Sequence, residues 1–427
     1  MARAKKETAL TPEERLQAAL VPDWEWPYKL PENWCWTYFK SISTIQTGKK
    51  DANYGSDEGK YPFFTCAAEP IRCHGYSFDC RAILLAGNGD INNISRYNGK
   101  FEAYQRTYVV KIAEPLCFDY IFYWFKYRWF DFNKGKMFGT AIPYIRLGNL
   151  QEFPTPIPPL AEQQRIVDRI ESLFAKLDEA KEKAQAVVDS FETRKAAILH
   201  KAFTGELTAK WREEHGVSID NWKTTRFDSV AAIRSNLVDP AEYQSFPHIA
   251  PDNIEKKTGV LLEYHTIAED GVTSGKHRFY SGQILYSKIR PYLSKAVVVD
   301  FDGLCSADMY PIEAYQNARC LWYYMLSDEF LLQASTAGSR SVLPKINQKE
   351  LSALTVHLPT NDREQEEIAR ILDELFDKEQ QTKEAAEAVL DQIDLMKKSI
   401  LARAFRGELG TNDPSEESAV EFLKQLI

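Results

Sequence analysis

Residues 162–174 read EQQRIVDRIESLF and return at 364–376 as EQEEIARILDELF, while HKAFTGEL at 200–207 returns at 402–409 as ARAFRGEL. Both matches share one offset of 202 positions, pairing Ile166 with Ile368, Ile170 with Leu372 and Phe203 with Phe405, with no gap between them. Loops absorb insertions at little cost, so a long gapless match marks a segment whose length matters. The chain is read first as an internal repeat.

The repeated segments have a helical period. Ile166, Ile170, Leu173, Leu177, Ala180, Ala184, Val187, Phe191 and Ile198 follow alternating steps of four and three, with Arg194 interrupting. Ile368, Leu372, Leu375, Ala386, Val389, Ile393, Met396 and Ile400 repeat the seam, with Glu379 and Thr382 as polar members. This is a coiled-coil pattern. Pro158 and Pro159 open the first helix, Asn361 with Glu364 forms a capping box for the second, and Gly205 and Gly407 stand at left-handed C-terminal stops. Each helix is expected to run about 45 residues, roughly 65 Å at 1.5 Å per residue.

Ahead of each helix lies a region rich in aromatics, strand-like runs and turns. The two have diverged, yet ENWCWTYF resembles DNWKTTRF, AILLA (82–86) matches QILYS (283–287), and IPYIRLGNLQEFPTPIP (142–158) matches LPKINQKELSALTVHLP (343–359). The expected segments are 1–30 as a helical lead-in, 31–159 as the first domain, 160–218 as the first long helix and a connector, 219–359 as the second domain, 360–410 as the second long helix, and 411–427 as a terminal helix. Thr11, Pro12 and Glu14 read as a capping box, and Asp413, Pro414 and Glu416 as a second copy of it. The fold class is α+β: two mixed α/β domains with strand-rich cores alternate with two long helices that pair as an antiparallel coiled coil, giving a pseudo-two-fold repeat.

The 427 residues, 44% hydrophobic and 27% charged, have a globular composition. Neither a signal-peptide core nor an apolar run of about 18 residues is present, so no membrane partner is expected and the cytoplasm is the expected compartment. Seven cysteines suit reduced thiols, and Cys66, Cys73 and Cys80 beside His74 lack the close spacing of a zinc site, so no metal is expected. GVTSGK (271–276) is one residue short of a P-loop, GNGD (87–90) does not continue as a dinucleotide fingerprint, and PDNIEKK (251–257) crowds its two acids too closely for a nuclease site. A Gly-x-Ser-x-Gly elbow and the Asn/Asp-Pro-Pro-aromatic motif of adenine methyltransferases are also missing. No catalytic residue and no cofactor bound by this chain are expected.

The net charge of −8 hides an uneven distribution. Residues 361–427 hold 17 acids against 9 Lys and Arg, whereas 271–295 contain Lys276, His277, Arg278, Lys288, Arg290 and Lys295 with four aromatics and no carboxylate. The tract 91–101 of the first domain, likewise free of acid, holds Asn92, Asn93, Arg96 and Lys100. Arg and Asn suit base edges and lysine suits phosphate. Lys49, Lys50, Lys134, Lys136, Ser339, Arg340 and Lys345 complete the candidate DNA-binding set. Phe174, Phe203, Phe376 and Phe405, repeated in both helices, are candidates for binding a partner protein.

Two variable domains alternating with two near-identical helices, each introduced by Glu-Gln-x-x-Ile and closed by Ala-Phe-x-Gly-Glu-Leu, resemble the specificity subunit of type I restriction-modification systems. The resemblance rests on Pro158–Ile170 with Ala202–Leu207 and on Pro359–Leu372 with Ala404–Leu409. It implies that each variable domain is a target recognition domain reading one half of a bipartite, asymmetric site in double-stranded DNA, and that the helices set the spacing. It implies two modification subunits as partners, which bind S-adenosylmethionine and methylate adenine, and restriction subunits using ATP and Mg where the system restricts. Two other classes fit the residues less well: a methyltransferase or nuclease in its own right, and a coiled-coil scaffold that binds proteins.

Overall fold

The computed structural model describes residues 11–337 and 344–427. The chain divides into two compact units, one made of the chain up to Lys183 with Val389–Ile427 and the other of Ala184–Ala388. These cuts differ from the linear segments: each unit takes one globular domain and a stretch of both long helices.

In the first unit, strand Cys35–Tyr38 pairs antiparallel with Pro154–Ile157, so the domain's entry and exit lie side by side. Between them is a six-stranded sheet in the order Ser43–Thr47, Thr107–Ile112, Phe78–Ala86, Ile94–Ala103, Tyr61–Phe64, Ile71–Cys73. Alternation sends Ile83, Leu85 and Val110 to the face covered by helix Phe118–Asn133, whose Trp124, Phe125 and Trp129 are fully buried. Ala82, Leu84 and Val109 face the other way, onto Phe64 and Phe101.

In the second unit, Trp222–Arg226 pairs with Thr355–Pro359 in the same way. What lies between differs: a four-stranded and a five-stranded sheet, with helices Ala318–Met325, Asp328–Ala337 and Gln348–Ala353. The ends of the two domains are therefore alike and their middles are not.

The second long helix runs unbroken over Asp362–Ala404. The first does not form the single expected rod: it is helix Leu160–Asp189, then a turn at Ser190, then helix Phe191–Phe203. Ser190 Oγ donates to the carbonyls of Ala186 (2.5 Å) and Val187 (3.3 Å), the back-bonding by which serine bends helices. Stretches of both helices pair in each unit, and the pairing is antiparallel. Lys397 meets Asp178 at 2.5 Å and lies over Phe174 in the first unit, while Ile166 and Ile170 share a core with Ala404 and Phe405. In the second unit Arg194 meets Glu379 at 2.7 Å, and Leu199 and Phe203 pack with Ile368 and Leu372. Two of the three residues that interrupt the apolar seams, Arg194 and Glu379, thus bond to each other. Gly205 and Gly407 take φ of +79° and +74°, the left-handed stops their positions require.

Thr11 and Glu14 form the expected capping box of helix Pro12–Ala19. The expected second box is not formed: helix Ala419–Leu426 is capped by Ser418, and Glu416 instead takes both nitrogens of Arg165 at 2.8 Å. Asn361 accepts from the amides of Arg363 and Glu364, but the Glu364 carboxylate does not return the bond, because it is turned inward.

That inward turn joins each domain to its helix. Glu162 and Glu364, at equal places in the repeat, are both fully buried. Trp34 Nε1 donates to Glu162 at 2.8 Å and Trp222 Nε1 to Glu364 at 3.0 Å. The neighbouring glutamines act alike. Gln163 accepts from the Cys117 amide and donates to Pro158 O, and Gln365 accepts from the Asn317 amide and donates to Pro359 O. Cys117 and Asn317 are the N-cap residues of the two domain helices. One dipeptide therefore ties a lead strand, an exit strand and a domain helix to the first turn of the long helix.

The two carboxylates differ in charge balance. Burial raises the Glu162 carboxyl above the ordinary glutamate value, and bonds from Trp34 and Thr411 offset this only in part. Burial pushes Glu364 the same way, but bonds from Asn221, Arg212, Trp222 and Thr208 outweigh it and hold the carboxyl below that value. A carboxyl with a lowered folded value contributes its full stabilisation above about pH 4.5 and loses it as the pH falls through the folded value. A raised one imposes a penalty that is relieved as the pH falls towards 4.5. Glu364→Gln strands Arg212 and is expected to cost about 2–3 kcal/mol at pH 7, and Glu162→Gln less than about 1 kcal/mol. Urea unfolding at pH 7 and pH 4 checks both: the Glu364→Gln deficit shrinks in acid, and that of Glu162→Gln does not.

Candidate nucleic-acid interface

The candidate DNA-contacting residues separate by what they already bond. In the first domain Lys49 is exposed in the loop after strand Ser43–Thr47, and Lys50 Nζ lies 4.4 Å from the Tyr54 ring centroid. Asn92 is exposed, while Asn93 donates to Cys66 O at 2.9 Å. Lys100 stands over Tyr76, and its hydrogen bond with that hydroxyl raises the ammonium's pKa. Lys134 reaches Asp131 at 3.2 Å, and Lys136 lies over Phe132 at 3.6 Å.

Arg96 is not in an acid-free setting. It pairs with Asp119 of helix Phe118–Asn133, which also binds Arg81 at 2.6 Å, and both guanidinium groups lie over phenylalanine rings. Arg81, Arg96, Tyr97, Asn98 and Phe118 line a cavity of about 260 Å³. Arg81 was missed in sequence because Asp79, two residues before it on the same face of strand 78–86, keeps that stretch out of the acid-free tracts.

The second domain corrects the expected basic surface more strongly. Lys276 and His277 are buried, 5% and 3% exposed. They sit on successive positions of strand Lys276–Phe279, interior to the five-stranded sheet, and both faces of the strand are covered there. Lys276 Nζ is satisfied by the carbonyl and hydroxyl of Ser274. Burial lowers its pKa and, with Lys288 nearby, that of His277. Neither is a surface cation.

Lys288 donates to Ala307 O, Lys295 to Pro251 O, and Lys345 pairs with Asp308 at 3.1 Å. Arg278 lies among Tyr243, Phe246 and Tyr280, with Nε buried and unpaired. Arg290 differs from these. It is exposed, its φ of +48° lies in the left-handed region, its amide is fixed to Pro344 O at 2.8 Å, and its guanidinium has no partner among the described residues. Ser339 and Arg340 lie outside the described residues.

Two of the four phenylalanines, Phe405 and Phe203, are corrected as well. Phe405 is fully buried among Tyr120, Trp124 and Tyr127, and Tyr28 donates to its carbonyl at 2.9 Å. Phe203 is buried edge-on against Tyr324. Each therefore locks the end of a long helix into a globular domain and offers nothing to a partner. Phe174 and Phe376 are half-buried against Tyr123 and Tyr323, whose hydroxyls donate to Glu171 and Asp373 at equal places in the repeat.

Among the described residues no His, Cys, Asp and Glu cluster could hold a metal, and no helix is long and apolar enough to cross a membrane. The geometry defines a tandem binding protein: two unlike domains carried on one repeated frame. Residues 31–188 and 219–390 match the type I restriction modification DNA specificity domain. The chain belongs to the family of type I restriction-modification specificity subunits. It is 40% identical over 403 residues to the EcoDI specificity subunit of Escherichia coli, covering 89% of this chain and 90% of that one. It is 25% identical over 300 residues to the EcoKI specificity subunit of Escherichia coli strain K12, covering 64% and 61%. Its fold matches the HsdS subunit of Thermoanaerobacter tengcongensis with a TM-score of 0.62 at 18% identity, over 90% of this chain and all of the other.

Removing either buried phenylalanine should free a domain from its helix. Phe405→Ala and Phe203→Ala are each expected to lower stability by about 3–5 kcal/mol. Urea unfolding with limited proteolysis checks this, with new cuts in the first domain for Phe405→Ala and in the second for Phe203→Ala.

Proposed function

We propose that the two domains each read one half of a bipartite site in double-stranded DNA, and that the long helices fix the separation of the halves. The observation that carries this is the contrast between the anchors and what they hold. The Glu-Gln dipeptide, the tryptophan before it and the buried phenylalanine recur in both units, while the sheets between them differ in strand number and order. Two different readers held by equivalent joints suit a site with two different halves.

The chain serves as a non-catalytic reader that recruits chemistry. Methyl transfer from S-adenosylmethionine is assigned to two modification subunits, and ATP- and Mg-dependent steps to restriction subunits where these occur. The cytoplasm is the compartment that fits such partners. The docking platform is placed on exposed helix faces, where Leu395 is 65% exposed, and not on the phenylalanines. Several of the candidate lysines are held in internal bonds and the net charge is −8, so the modification subunits are expected to supply much of the field that attracts DNA.

Replacing residues 31–150 with the equivalent segment of a relative is expected to change one half of the recognised sequence and leave the other half and the spacing intact. Duplex selection with purified modification subunits checks this, and a swap that leaves the selected sequence unchanged overturns the reading. Arg290→Ala is expected to reduce the slope of log affinity against log salt by about one, as loss of a phosphate contact does. Lys276→Ala is expected to leave that slope unchanged, because its ammonium is held inside the domain.

A further inference from the structure

The paired helices differ in charge at one facing pair of seam positions, and the difference follows a rule. In the second unit Arg194 Nε donates to Glu379 Oε2 at 2.7 Å, with the side chains 32% and 23% exposed. Arg194 also donates to Val187 O, which fixes the guanidinium against its own helix. The repeat places Met396 where Arg194 stands and Leu177 where Glu379 stands. One seam position is therefore ionic in one unit and apolar in the other.

Near-identical helices carry an assembly hazard. Within the chain, the early part of the first helix pairs with the late part of the second. The repeat makes the late part of the first helix a close copy of that partner. A second copy of the chain could thus offer its first helix to the first, or its second to the second, in the same antiparallel geometry. Pairing first with first sets Arg194 against Leu177 of the other copy. Pairing second with second sets Glu379 against Met396. In either case the Arg–Glu bond is lost and a charge is set against an alkyl side chain. Pairing unlike helices keeps the Arg–Glu bond in the second unit, while Met396 in the first is 46% exposed.

We propose that the Arg194–Glu379 pair selects which helices associate, disfavouring like-with-like pairing with a second copy of this chain. A polar group at one seam position is a known way to specify pairing at some cost in stability. The proposal does not depend on what the two domains bind.

The test uses full-length chains. Arg194→Glu places two acids in the seam and Glu379→Arg places two bases there, so each variant alone opposes its own pairing. Denatured together and refolded, they are expected to give a 1:1 heterodimer as the main species by mass photometry, because exchange restores Arg–Glu pairs. Neither variant alone and no wild-type mixture should give it. A mixture that yields no heterodimer, or no more than wild type, overturns the proposal. If the charged variants fail to refold, Arg194→Met combined with Glu379→Leu decides, since it copies residues the other unit already accommodates. That chain is expected to show a dimer fraction rising with concentration, and one that stays monomeric like wild type overturns the proposal.

Discussion

Each long helix begins by burying a carboxylate, and both units are organised around that act. A glutamate with no exposed surface needs donors in place of water. Glu162 finds Trp34 and Thr411, and Glu364 finds Trp222, Thr208, Arg212 and Asn221. Those donors come from the lead strand of a domain and from segments that follow helix ends, so satisfying one carboxylate brings several parts of the chain together. The adjacent glutamine closes the joint by capping the domain helix through its N-cap amide. Because every bond of this joint is made by residues at the domain's base, the rest of the domain is released from holding the frame. The six-stranded sheet of one domain and the two sheets of the other are the outcome.

The far ends of the helices complete the arrangement. Phe405 closes the first domain and Phe203 the second, so each domain is gripped by the start of one helix and the end of the other. A left-handed glycine follows each phenylalanine two residues later. At Gly407 a Cβ would approach Pro31 to 2.5 Å, so the turn leaves no room for a side chain. The repeated Ala-Phe-x-Gly is therefore a socket and its stop, and its repetition reflects two joints of the same design.

The sequence made the helices, their seam and the division into like ends and unlike middles legible, because period and gapless offset survive without coordinates. It did not reveal the role of the Glu-Gln dipeptide, which reads as a helix-start signal, since the glutamate's partners lie more than a hundred residues away and the glutamine's link to the domain helix spans more than forty. The break at Ser190 was hidden too, as one back-bonding serine leaves no trace in an apolar period. Charge tracts were the poorest guide. Counting acids within 91–101 could not see Asp119 reaching Arg96, nor could 271–295 reveal that Asp308 lies 3.9 Å from Lys288. Tertiary packing decided Lys276 and His277, because both faces of their strand are covered there.

The buried cations change how the overall acidity is understood. Lys195 is tied to the carbonyls of Lys257 and Thr258, Lys295 to Pro251 and Lys288 to Ala307, so these ammonium groups hold loops against the frame. Burial lowers the Lys195 amine to about 8, which leaves it mostly protonated at pH 7. A chain with a net charge of −8 attracts the DNA backbone weakly. What is left exposed, such as Arg290 on its strained turn, acts at fixed positions. For a chain whose work is discrimination, weak general attraction is an advantage: affinity supplied by other subunits adds equally to every sequence, and the difference between sequences stays with the two domains.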